Sequence, residues 1–90
     1  MKTIRLTVKG KVQGVYYRAS AKNIAEQLAI TGWIKNLPDR NVEIIATTSS
    51  EELLQQFIDW CRQGPPRAIV EEVIIEELTI EPFTGFRIIR

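Results

Sequence analysis

Hydrophobic and polar residues alternate at the start of the chain and then change to a helical period. Apolar side chains occupy every second position over Thr3–Lys9, which predicts a strand with one buried face. The next segment, Gly10–Tyr17, contains two glycines and is predicted to be a loop. From Arg18 the apolar residues recur with the spacing i, i+3, i+4, i+7, which predicts a helix that ends near Ile30.

The middle of the chain combines a hairpin pattern with a second helix. Gly32–Leu37 and Asn41–Thr47 are predicted strands, joined by a turn over Pro38–Asn41. Ser49-Ser50-Glu51-Glu52 is interpreted as a capping box for a helix that stops before Gly64. The apolar stripe of that helix consists of Leu54, Phe57, Ile58 and Cys61.

Two further strands are predicted towards the end of the chain. Ala68–Thr79 is rich in valine and isoleucine, and the doubled pattern at Val73-Ile74-Ile75 indicates a bulge. Thr84–Ile89 is a candidate short edge strand. The element order is β-α-β-β-α-β, the ferredoxin-like split βαβ arrangement of the α+β class. Right-handed crossovers then place two helices on one face of an antiparallel sheet, and we expect residues 1–90 to form one domain.

The composition removes several kinds of chemistry. The 90 residues include no histidine and a single cysteine, so Ser-His-Asp or Cys-His nucleophiles, histidine-ligated metals and internal disulfides are excluded. No apolar run is long enough to span a membrane, and no signal-peptide pattern is present. These features and the free thiol predict a cytoplasmic location. Any catalysis must use arginine, lysine, carboxylates, amides, hydroxyls or the backbone.

The charges are distributed unevenly. Residues 1–40 carry eight basic and two acidic side chains, whereas residues 41–90 carry four basic and nine acidic ones. One interpretation is an uneven solvated surface, and the other is an anion site in the first half. The acidic second half argues against a general nucleic-acid binder.

The Gly10–Arg18 segment is the candidate anion site. A glycine-containing turn that enters a helix can direct several backbone N–H groups at one anion, and Gly14 permits a positive φ. Arg18 adds a forked cationic donor suited to phosphate. An ordinary strand–helix turn with a surface arginine is the alternative. Asn36, near the end of a predicted strand, either caps the following turn or orients a water or substrate oxygen.

These residues resemble those of a known family. Gly10-Lys11-Val12-Gln13-Gly14-Val15-Tyr16-Tyr17-Arg18 is similar to the acylphosphatase signature G-x-V-Q-G-V-x-[FY]-R. Gly32-Trp33-Ile34-Lys35-Asn36 resembles the second motif of that family, G-W-[VI]-x-N. Gly64-Pro65-Pro66 and Phe86-Arg87-Ile88 match later stretches, so the resemblance covers nearly the whole chain.

The resemblance implies a small cytosolic enzyme that hydrolyses acyl phosphates without metal or cofactor. It assigns the catalytic arginine to Arg18 and the water-orienting asparagine to Asn36. The phosphoryl oxygens would be held by the loop amides, which belong to Lys11, Val12, Gln13, Gly14, Val15, Tyr16 and Tyr17. The expected partner is a small acyl phosphate, with no nucleic acid and no membrane, and the expected state is a monomer.

Two departures and three alternatives accompany the resemblance. Arg40 stands where the family usually has glycine, so a positive φ would strain it unless Asn41 shifts the turn by one residue. Thr47-Thr48-Ser49 replaces a family glycine and is expected to alter only a loop. The alternatives are an RNA-binding module of the same element order, a regulatory domain, and a phosphate binder that has lost turnover. The first is disfavoured because strand Asn41–Thr47 lacks aromatic residues.

Overall fold

The computed structural model describes residues 1–79 and 84–89 and contains five strands and two helices within them. In chain order they are β1 (Lys2–Lys11), α1 (Tyr17–Gln27), β2 (Thr31–Asn36), β3 (Val42–Thr48), α2 (Glu51–Gln63), β4 (Ile69–Leu78) and β5 (Phe86–Ile89).

The strands form one sheet in the order β4-β1-β3-β2-β5. The pairs β4–β1, β1–β3 and β3–β2 are antiparallel, with Leu6 of β1 opposite both Ile44 of β3 and Ile75 of β4. The fifth strand pairs in parallel with β2, so the sheet is mixed at this edge. The predicted ferredoxin-like β-α-β-β-α-β arrangement is confirmed, with β5 added beyond β2. Neither helix is long and apolar enough to cross a membrane, within the residues described.

The core lies between the sheet and the two helices. Alternate residues of the central strands are buried there, and they meet the apolar stripe predicted for the second helix. Phe57 of α2 and Phe86 of β5 pack edge to face, with ring centroids 6.0 Å apart. The buried strand residues include Ile4, Leu6, Val8, Ile34, Ile44 and Ala46.

The first helix is shorter than its hydrophobic period suggests. It ends at Gln27 instead of near Ile30, because Ala29 adopts a left-handed conformation with φ 55°. The N–H of Ile30 then donates to the carbonyl of Ala25 at 2.8 Å, which carries the Ile30 side chain into the core. The helix thus ends at a left-handed alanine where glycine is usual, and burial of Ile30 stabilises this ending.

The second helix is capped by Ser50, whose side-chain oxygen accepts from the N–H of Leu53 at 3.2 Å. The predicted box of Ser49 to Glu52 is therefore displaced by one residue. Because Leu53 occupies the third helical position, no glutamate reaches back, and the cap is a single hydrogen bond.

The bulge predicted for β4 is present at a different place. Pairing is regular through Val73-Ile74-Ile75, and the register shifts where Lys9 faces Glu72 while Gly10 faces Val70. Glu71 is the extra residue. The doubled apolar residues reflect an edge strand whose two faces are both partly covered, not a bulge.

Candidate active site

The loop between β1 and α1 is anchored to the core by alternate side chains. Val12, Val15 and Tyr17 are at most 5% exposed, whereas Gly14 and Tyr16 between them face solvent. The hydroxyl of Tyr17 donates to the carbonyl of Cys61 in α2 at 2.7 Å. The buried residues fix the path of the loop and leave its backbone accessible.

The loop backbone turns twice through the left-handed region. Gly14 has φ 74°, and Tyr16, the residue that precedes α1, has φ 64°. No side chain caps the start of α1, and its first turn contains no acidic residue. Within residues 1–79 and 84–89, the N–H groups of Gly14, Val15 and Tyr16 have no backbone acceptor. This arrangement offers several unpaired donors to one anion.

A cavity of about 370 Å³ opens beside these donors. Its lining includes Gly14 of the loop, Arg18 of α1, Asn36 at the end of β2 and Ile88 of β5. The structure thus brings together the two residues that the sequence singled out, Arg18 and Asn36, although 18 positions separate them. Lys11 lies outside this cavity and lines the neighbouring one.

The Asn36 side chain has an unusual environment. Its Oδ1 atom is buried and has no hydrogen-bond partner among the described residues. Oδ1 of Asn36 therefore does not cap the following turn. Asp39 has that role, since its carboxylate accepts from the backbone and side-chain nitrogens of Asn41 at 3.1 Å each. A buried polar oxygen without a partner is costly, so Oδ1 is suited to accept a hydrogen bond from a bound molecule.

Gln13 connects the loop to the β2–β3 hairpin. Its Nε2 donates to the carbonyls of Leu37 at 2.9 Å and Asn41 at 2.8 Å. The sequence predicted only a backbone role for Gln13, because nothing in a linear pattern reveals a side-chain contact 24 residues away.

The hairpin turn uses Arg40 in the conformation that glycine usually takes. Arg40 has φ 74°, and its N–H donates to the carbonyl of Leu37 at 3.1 Å. The shift of the turn onto Asn41 that we considered does not occur. Asn41 instead closes the hairpin by accepting from the N–H of Leu37 at 2.8 Å.

Four basic residues outside the loop form ion pairs. Lys2 pairs with Glu77, Arg5 with Glu76, Lys22 with Glu26 and Lys35 with Glu43, at 2.9 to 3.7 Å. In the described part of the chain, no ion pair forms at Lys9, Lys11, Arg18 or Arg40. Arg62, Arg67 and Arg87 also form no ion pair among the described residues, so cations without an ion pair are not confined to the loop, although four of them lie in it or near it.

The groups with strongly shifted pKa values are not suited to proton transfer. Burial raises the pKa of the Tyr17 hydroxyl above its usual range, and burial also raises the pKa of Cys61 to about 12. Both side chains therefore stay neutral near pH 7. No three acidic or cysteine side chains lie close enough to hold a metal ion, in the ranges that the structure describes.

Known proteins are similar to this chain over most of its length. A sequence model of the acylphosphatase family matches residues 4–88. An acylphosphatase from Marinobacter nauticus is 51% identical over 83 residues, which are 91% of this chain and 89% of that protein. The chain belongs to the acylphosphatase family. It is therefore an enzyme of the acylphosphatase type, as the two motifs predicted.

Solved acylphosphatase structures have the same fold. The acylphosphatase from Bacillus subtilis superposes with a TM-score of 0.95 at 33% identity and covers all of both chains. The acylphosphatase from Coxiella burnetii gives a TM-score of 0.91 at 40% identity, over 97% of this chain and 90% of that one. The resemblance seen in two short motifs therefore extends to the whole acylphosphatase fold.

Proposed function

We propose that this enzyme hydrolyses acyl phosphates by direct attack of water on phosphorus, with Arg18 and the loop backbone holding the phosphoryl group and Asn36 orienting the water. The observation that carries the proposal is that Arg18 and Asn36 line one cavity. The buried Oδ1 of Asn36, which has no hydrogen-bond partner among the described residues, supports it.

The phosphoryl group would lie in the loop from Lys11 to Tyr17. Backbone N–H groups of this loop and of the α1 start would donate to its oxygens, and the guanidinium of Arg18 would add a charged fork. In the transition state of phosphoryl transfer the charge is spread over the three equatorial oxygens, so donors fixed around them beforehand lower the barrier.

Asn36 would act on the nucleophile. Its Oδ1 would accept a hydrogen bond from a water molecule and hold it in line with the bond that breaks. That water forms a new P–O bond while the bond from phosphorus to the carboxylate oxygen breaks. The carboxylate leaves with the electron pair, and the proton of water passes to a phosphate oxygen.

This division of work fits a site without histidine. The leaving carboxylate has a conjugate-acid pKa of roughly 4–5, as carboxyl side chains do, and needs little protonation. A general acid at the leaving group is therefore unnecessary. The enzyme supplies position and charge, which are the main requirements of this reaction.

The decisive experiment is hydrolysis of benzoyl phosphate in excess EDTA, with folding verified by circular dichroism. Arg18→Ala should reduce kcat/KM about a thousandfold and Asn36→Ala about a hundredfold or more. Matched surface variants, Arg62→Ala and Asn23→Ala, should retain wild-type values because both residues are exposed and lie outside the cavity.

Labelled water locates the broken bond. In H₂¹⁸O a single turnover should place the label in inorganic phosphate and none in benzoate. Label in benzoate would show attack at the acyl carbon and overturn the mechanism. A folded wild type that binds phosphate but hydrolyses nothing would instead favour a binding protein without turnover.

A further inference from the structure

We propose that Lys9, Lys11 and Arg40 form a subsite for the acyl group, which favours acyl phosphates whose acyl portion carries its own negative charge. This inference rests on the proposed function and concerns the part of the substrate that leaves.

A second cavity, of about 720 Å³, provides the space for this subsite. It borders the cavity of about 370 Å³ that contains Arg18 and Asn36, called the phosphate cavity below. The outer wall of the second cavity is the hairpin turn with Arg40, and its floor is the end of β1 with Lys9 and Lys11. Val12, Gln13 and Gly14 line both cavities. These three residues form the boundary between the two cavities, and the exposed Gly14 has no side chain there, so a substrate held by the loop can reach the second cavity over Gly14.

The charges that line this second cavity favour an anion. Its three cations form no ion pair within residues 1–79 and 84–89, which is also true of Arg18, Arg62, Arg67 and Arg87. The cavity also contains two carboxylates, Asp39 and Glu71. Asp39 accepts two hydrogen bonds from Asn41 and is committed to the turn. Both carboxylates oppose the three cations, so the lining is only weakly positive. Glu71, the bulged residue of β4, is the carboxylate that the turn does not hold.

The direction of the reaction assigns the acyl group to this side. In-line displacement puts the leaving oxygen opposite the attacking water. Asn36, which orients the water, lines the phosphate cavity together with Arg18, and neither residue lines the second cavity. Loop residues line the second cavity, but Asn36 does not. This is the arrangement expected for the place where the acyl group lies.

The conformation of Arg40 is consistent with a functional position. A left-handed arginine is strained, and such strain persists where the surrounding structure holds it. Here Gln13 and the closed hairpin hold the turn, and the exposed Arg40 side chain lies at the rim of the second cavity.

The test compares two substrates that differ by one charge. Benzoyl phosphate and 4-carboxybenzoyl phosphate share the phosphoryl group, so the ratio of their kcat/KM values isolates the acyl subsite. Arg40→Gln should lower the ratio of carboxylated to plain substrate about three- to tenfold, and Arg40→Lys should largely keep it. Glu71→Gln should raise it by a similar factor. High salt should reduce the preference of the wild type.

Lys2→Ala is the matched control. It removes a lysine from the same strand, nine positions from Lys11 and about 30 Å away at roughly 3.3 Å per residue, and should leave the ratio unchanged. Equal ratios in the wild type, Arg40→Gln and Glu71→Gln, with both substrates hydrolysed, would overturn the subsite and leave the proposed function intact. Hydrolysis of neither substrate by the folded wild type would overturn the proposed function and the subsite with it.

Discussion

The side chain of Gln13 donates to the main-chain carbonyl of Leu37 at 2.9 Å, and this bond joins the phosphate loop to the strand that carries Asn36. One amide thus connects the two elements to which we assign anion binding and water orientation. The same Nε2 also donates to Asn41, so the connection includes both ends of the hairpin turn. If the proposed mechanism holds, position is the main catalytic contribution of this site, and that amide acts as a positioning group.

Gln13→Ala should therefore reduce activity more than its modest effect on stability would suggest. Loss of two hydrogen bonds should lower the free energy of unfolding by about 1–2 kcal/mol. Relaxation of the loop relative to Asn36 should lower kcat for benzoyl phosphate about ten- to a hundredfold. Steady-state kinetics and urea unfolding measure the two effects. Gln55→Ala, which removes an exposed amide bonded to Asp59, should change neither by much.

Gly14 offers a test that separates backbone strain from access to the phosphate. Gly14 and Gly85 have nearly equal positive φ values, 74° and 71°, and a Cβ on either would meet nothing within 4 Å. Replacement of either by alanine should cost about 1–2 kcal/mol through strain alone. Of these two glycines, Gly14 lines the cavity that contains Arg18 and Asn36, and Gly85 does not. Gly14→Ala alone should therefore lower kcat/KM for benzoyl phosphate, by tenfold or more. Equal activity losses in the two variants would contradict a phosphate position beside Gly14.

The sequence could predict this much of the fold because its signals are local. Alternation in β1, the apolar stripe of α2 and the turn residues between β2 and β3 each depend on neighbours within a few positions. The positions of Arg18 and Asn36 followed from the same local signals, since each stands at the end of an element that enters the loop region.

The features that the sequence could not reveal are contacts between distant segments. Gln13 bonds across 24 positions, and Glu71 is displaced from the ladder by a close approach of strands at Gly10. A Cβ at Gly10 would lie 2.1 Å from the carbonyl oxygen of Ile69. Sequence periodicity cannot show which backbone approaches so closely, and so the bulge was assigned to the doubled apolar residues instead.

The protein should become more stable when either of two residues with positive φ is replaced by glycine. Arg40 and Ala29 have φ values of 74° and 55° in turns that usually favour glycine. Arg40→Gly and Ala29→Gly should each raise the free energy of unfolding by about 0.5–1 kcal/mol, since relief of strain exceeds the added entropy of the unfolded chain. Chemical denaturation measures both. A loss of stability in Arg40→Gly alone would show that the arginine side chain contributes contacts that outweigh the strain.

The buried thiol of Cys61 should make stability fall at alkaline pH. Burial raises the pKa of Cys61 from its ordinary value of 9.0 to about 12. Between these values the unfolded chain has lost the thiol proton while the folded protein still binds it. The unfolded state binds fewer protons, so the free energy of unfolding decreases as pH rises through this interval, by up to about 1.4 kcal/mol per pH unit. Below pH 9 both states keep the proton, and the thiol adds no pH dependence.

Cys61→Ala separates this effect from the titration of other groups. The variant should be less stable than the wild type at pH 7.5, because a fully buried side chain is truncated. All other ionisable groups are present in both proteins, so their contributions largely cancel in the difference. The stability advantage of the wild type should therefore shrink by about 1.6 kcal/mol between pH 9.0 and pH 10.5. If urea unfolding shows the same advantage at both pH values, the thiol ionises equally in both states, and Cys61 is accessible to solvent in the folded protein.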